Sequence, residues 1–132
     1  MSEADRAGRT ELHYAALEGR VTDMRDALAA GADASARDAN GYTPLHFAAQ
    51  GQQAESVRLL LAAGAEVDAR DEFGKTPLAV ALFFTKDGPG DVVSMLLNAG
   101  ASPDAKNDSG ISPRDLADQV SNYDYGQFFR GR

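Results

Sequence analysis

Cysteine is absent from the 132 residues. That excludes a disulfide scaffold, a thiol nucleophile and any cysteine-ligated zinc or iron–sulfur centre. Histidine is nearly absent: His13 and His46 are the only two, too few for a multi-histidine metal centre. No apolar run continues beyond about ten residues without charge, glycine or proline, against the roughly 20 needed to span a membrane. Residues 1–10 contain no apolar stretch of the secretory type. The expectation is a cytoplasmic protein with no membrane partner. No glycine-rich loop of Walker or dinucleotide type is present, and the acids do not follow a calcium-loop spacing. No cofactor and no metal are expected. Asn107-Asp108-Ser109 spells a glycosylation sequon, which is set aside because nothing indicates secretion.

The composition that remains is globular, with 43% hydrophobic and 25% charged residues. The length corresponds to one domain. The net charge is −7, which repels phosphate backbones and anionic lipid and so argues against nucleic acid as a partner. A basic partner would be favoured.

An internal repeat organises the chain. Asp38-Ala39-Asn40-Gly41-Tyr42-Thr43-Pro44-Leu45-His46-Phe47-Ala48-Ala49 is echoed by Asp71-Glu72-Phe73-Gly74-Lys75-Thr76-Pro77-Leu78-Ala79-Val80-Ala81. Gly8, Gly41 and Gly74 are spaced by 33 residues, and Gly110 follows after 36. A second marker keeps the register: Gly31-Ala32, Gly64-Ala65 and Gly100-Ala101. Thr43 stands where a helix N-cap belongs, with Pro44 at the first helical position. A second helix over 57–63 carries Val57, Leu60 and Leu61 on one face and stops at Gly64. Ser112-Pro113-Arg114-Asp115 reads as a capping box.

On these motifs the sequence resembles the ankyrin repeat family, from about residue 5 to about residue 129. The resemblance implies an all-α repeat solenoid of stacked helix-turn-helix units with β-turn fingers. One domain over 1–132 would hold units at about 5–37, 38–70, 71–106 and 107–132, the terminal ones acting as caps. A stack capped at both ends implies a monomer. The sequence departs from the family pattern at Glu11, where the family has proline, and at Ala79, where the histidine and one hydrogen bond are lost. An insertion around 83–90 reads as a loop, and 121–129 as an aromatic-covered cap.

The two histidines occupy the same slot in successive units, so the resemblance makes them structural, bonding backbone and the capping threonine. No serine or threonine is placed with a histidine and an acid outside that pattern. An enzyme is not expected; Lys86 and Asp87 in the inserted loop are the only polar candidates for a catalytic subunit. Carried over residue by residue, a protein-binding face would include Arg37, Asn40 and Tyr42 on one finger, and Arg70, Glu72, Phe73 and Lys75 on the next. Lys106, Asp108, Ser109 and Ile111 would form the last finger. Gln50, Phe83 and Phe84 would lie on the inner helices. Tyr42 and Phe73 are expected to face solvent, and one of Phe83 and Phe84 to fill the core. Arg37, Arg70 and Lys106 would form a row on one edge, either free for a partner or paired with Asp38 and Asp71. Ten arginines against three lysines, with abundant alanine, suit a GC-rich bacterial genome. A small, acidic, free-standing chain of this type is similar to bacterial immunity proteins that neutralise a basic toxin.

Overall fold

The Thr-Pro-Leu motif begins a helix each time it occurs, because its first residue stays extended and its second has φ preset for the helix. Thr43 and Thr76 both keep an extended backbone and accept an N–H from the third helical residue, His46 or Ala79. The structure is a computed structural model that describes residues 7–85 and 91–119. Lys86 and Asp87 of the inserted loop and the aromatic segment 121–129 lie outside the described residues.

Seven helices and no strand occur among the described residues: α1 (Glu11–Glu18), α2 (Val21–Ala29), α3 (Pro44–Gln50), α4 (Ala54–Ala62), α5 (Pro77–Phe84), α6 (Asp91–Asn98) and α7 (Pro113–Gln119). Helix α4 thus starts three residues earlier than the sequence suggested. Its first turn carries Glu55, a favourable charge at a helix start. The odd helices pack side by side in one layer and α2, α4 and α6 in the other. Ala15, Ala16, Ala48, Ala49 and Ala81 are fully buried between them, so the backbones approach closely. One hydrophobic core runs continuously from Leu12 to Ala117, as stacked units that cannot fold alone require.

Each unit is sewn to the next in the same way. Ala39 donates its N–H to the Ala7 carbonyl (2.6 Å), Glu72 to Asn40 (2.9 Å) and Asp108 to Phe73 (2.8 Å). Beneath these, Nε2 of His13 bonds the Tyr42 carbonyl (3.1 Å) and Nε2 of His46 the Lys75 carbonyl (2.8 Å). Gln52 adds a further stitch, donating to the Ala81 carbonyl at 3.0 Å. The leucine slot filled by Leu12, Leu45 and Leu78 is taken in α7 by Arg114, which pairs with Asp104 at 2.8 Å. Asp115 Oδ2 accepts the Ser112 N–H (3.0 Å) and Ser112 Oγ accepts the Asp115 N–H (3.1 Å), completing the expected capping box.

One buried side-chain polar atom among the described residues is unmatched. Ser56 in α4 is fully buried and its Oγ has no hydrogen-bond partner; Val92 holds the corresponding place one unit later. An unsatisfied buried hydroxyl carries a desolvation penalty of about 1–3 kcal/mol, and alanine is the better helix former. Ser56→Ala is expected to raise the stability by about 1 kcal/mol, read as a higher urea midpoint at unchanged slope. A lower midpoint would mean that the hydroxyl is bonded in solution.

Candidate partner-binding site

The fingers are built by a side chain that mimics a backbone turn. Asp38 Oδ1 accepts the N–H groups of Asn40 (2.9 Å) and Tyr42 (2.8 Å). Asp71 repeats this with Phe73 and Lys75 (2.9 and 2.8 Å), and Asn107 with Ser109 and Ile111 (2.9 and 3.0 Å). The turn closes through a glycine in the left-handed region: Gly74 has φ +79, and a Cβ there would lie 2.8 Å from Asp108 Oδ1 and 2.9 Å from an Arg70 nitrogen. Glycine is the one residue that fits both the dihedral and the approach.

This geometry decides what the basic row does. Asp38 and Asp71 are buried within their turns. The ion pairs they make are with Arg9 (3.3 Å) and Lys75 (3.8 Å), not with Arg37 or Arg70. Among the described residues Arg37, Arg70 and Lys106 form no ion pair. Arg70 instead donates to the Lys106 carbonyl across the unit boundary. All three remain exposed, with Glu72 and Asp108 exposed on the neighbouring finger tips.

Tyr42 departs from expectation. Its ring is half-buried, stacked on His46 with centroids 4.7 Å apart and edge-on to Phe47 at 5.1 Å. Burial pushes its hydroxyl up to about 12, with Asp71 and Asp38 adding to the effect. The ring packs because the neighbouring histidine and phenylalanine form a shelf beneath the finger. Phe73 takes the place of Asn40 in the next finger, not that of Tyr42, and is 58% exposed, with Lys75 Nζ 6.0 Å from its ring centroid. Phe83 and Phe84 also differ from expectation: neither fills the core, at 67% and 38% exposure. The inward positions of α5 are already taken by Leu78, Ala81 and Leu82, and the two rings pack edge to face on each other at 5.3 Å.

These residues meet on one face. Asn40, Tyr42, Gln50, Glu72, Phe73 and Lys75 line a polar groove between the second and third fingers. Tyr42 and Lys75 also border a second, mostly apolar hollow of about 270 Å³ running under the last finger, with Phe83 and Phe84 on its wall. Sequence reasoning missed this hollow. Ala79, Val80, Ile111 and Leu116 line it, and the signal was the alanine in the histidine slot, which was read only as a lost hydrogen bond.

The histidines are fully buried. The Thr43 N–H donates to Nδ1 of His46 (3.1 Å), which also lies 2.9 Å from Thr43 Oγ1, and Nε2 reaches the next unit. His13 does the same with Thr10 at 2.9 Å. Both rings are thus structural ties between units. Among the described residues no group of three histidines, aspartates or glutamates is placed to hold a metal ion, and no helix is long and apolar enough to cross a membrane.

Comparison with curated proteins gives no match. Comparison with protein families gives one described as ankyrin repeats in three copies, aligned over residues 12–107. That span runs from α1 through α6 to the turn that follows it, and with the stacked helix pairs and β-turn fingers it places the chain in the ankyrin repeat family.

Proposed function

We propose that this chain is a non-catalytic protein-interaction module of four units, whose partner docks on the fingers and inner helices of the second to fourth. Ankyrin repeats are generally protein-interaction modules. The observation that carries the location is that Phe73, Phe83 and Phe84, the three exposed large hydrophobics among the described residues, line two adjoining hollows that share Tyr42 and Lys75. Interface hot spots are enriched in aromatic residues and arginine, and Arg70 lies beside this face.

The test is capture from lysate of the source organism with wild-type bait beside a Phe73→Ser, Phe83→Ser variant. Both side chains are exposed, so the variant is expected to keep its stability within about 0.5 kcal/mol. Partner recovery is expected to fall at least about tenfold, equivalent to about 1.4 kcal/mol. Equal recovery by both baits would place the docking surface elsewhere.

A basic partner, such as a toxin held by an immunity protein, is the second reading. It is supported by the exposed acids Asp26 and Asp91 on the outer helices, where Asp23 and Glu55 are already paired with Arg20 and Arg58. Such a complex would form on the side opposite the fingers and would weaken as salt is raised.

A further inference from the structure

Ala79 is the place where a cap is left open. In the first two units an imidazole closes it, and in the fourth the Asp115 carboxylate does. Two more rings are missing in the same register. Lys75 stands where Tyr42 stands one unit earlier, and Val80 where Phe47 stands. The stacked group of Tyr42, His46 and Phe47 therefore has no counterpart in the third unit. The three positions that lack a ring, Lys75, Ala79 and Val80, all border the hollow of about 270 Å³. An apolar cavity of about 150 Å³ is enough to bind benzene. The Ile111 carbonyl on its border bonds the Asn107 N–H (2.9 Å) but receives no imidazole, unlike those of Tyr42 and Lys75.

We propose that this hollow is a receptor for one aromatic side chain carried on an acidic segment of a partner protein. The proposal rests on the docking face above and assigns the chemistry of its occupant. Val80, Ile111, Leu116 and the two phenylalanines supply apolar and aromatic contact. Charge selects the flanking sequence. Among the described residues, those lining the hollow include Lys75, whose Nζ lies 3.8 Å from Asp71, and no carboxylate. Lys106 directly precedes the lining residue Asn107, and Arg70 is held to its carbonyl. The nearby acids Asp71 and Asp115 are engaged by backbone N–H groups. Glu72 and Asp108 stay exposed on the finger tips, so the acids of the segment would lie on the Lys75 and Lys106 side.

The probe is an acetylated, amidated hexapeptide with a central phenylalanine-leucine pair and two aspartates at each end. Titration followed by backbone amide NMR is expected to show binding at about 1 mM or tighter, with shifts at Val80, Ile111 and Leu116. Ala79→His should refill the hollow with the ring that the first two units carry. It is expected to melt no lower than wild type and to bind the peptide at least about tenfold more weakly. Ala79→Met fills the same space without a ring nitrogen and should weaken binding likewise. Lys106→Glu should weaken binding with the hollow intact. Equal affinity in the filled variants, or no shifts in wild type at several millimolar peptide, would overturn the receptor. If the captured partner is lost by the Phe73→Ser, Phe83→Ser variant yet retained by Ala79→His, the docking face stands and the receptor falls.

Discussion

Leu45→Ala is expected to destabilise the chain by about 2–5 kcal/mol, the range for leucines deleted from closed cores. Leu45 is fully buried in α3, the helix that packs against both α1 and α5. It therefore serves two interfaces between units. In a solenoid the stability is close to a sum of unit and neighbour terms, so a central leucine weakens both of its neighbour terms at once. Small domains hold roughly 5–15 kcal/mol in total, and the loss would be a large share of it. Chemical denaturation would show a much lower midpoint. A smaller slope in the variant would further show that the stack unfolds in parts. A loss below about 1 kcal/mol would mean that the alanine-lined layer collapses to fill the space.

How much of this was legible in the sequence depended on whether a residue's role is set by its own unit. Thr43, Pro44 and Asp115 act on backbone within three residues, and spacing alone gave their places at helix starts, whereas Asp71, which shapes its finger by accepting the Phe73 and Lys75 N–H groups, was read only as a possible partner of the basic row. The glycines at the finger tips followed from the period. Tyr42, by contrast, packs on His46 and Phe47, so its exposure depends on which rings occupy the next turn of helix. Phe73 occupies the finger position that Asn40 holds one unit earlier, two residues before the Tyr42 counterpart Lys75, and stays exposed. Phe83 and Phe84 were misjudged for a related reason: a core fills from the positions already facing it, and Leu78, Ala81 and Leu82 leave no room. The hollow at Ala79 is the combined result of three small departures in one register, each of which looks minor alone.

The histidines give the chain a stability that depends on pH. Burial lowers the affinity of both His13 and His46 for a proton. The bonding explains why relaxation does not offset this: Nδ1 of His46 accepts the Thr43 N–H while Nε2 faces the Lys75 carbonyl. A proton on Nδ1 would point at another donor. The unfolded chain then takes up protons near the ordinary value of about 6.5 while the folded chain does not. Because the unfolded state binds more protons, stability rises with pH through this window. It is complete above about pH 7 and is lost as the pH falls below the unfolded value towards the depressed folded one. A single histidine can contribute a slope of at most about 1.4 kcal/mol per pH unit, which bounds the pair at about 2.7. Urea unfolding at pH 7.5, 6.5 and 5.5 would measure it. Wild type is expected to lose stability progressively over that series, before carboxylates near pH 4 contribute. A His13→Gln, His46→Gln variant is expected to be less stable at pH 7.5 but nearly flat down to 5.5, because glutamine does not titrate. A flat wild-type series would show that the imidazoles keep their protons when folded, and that the cap bonds to Nδ1 rearrange on protonation.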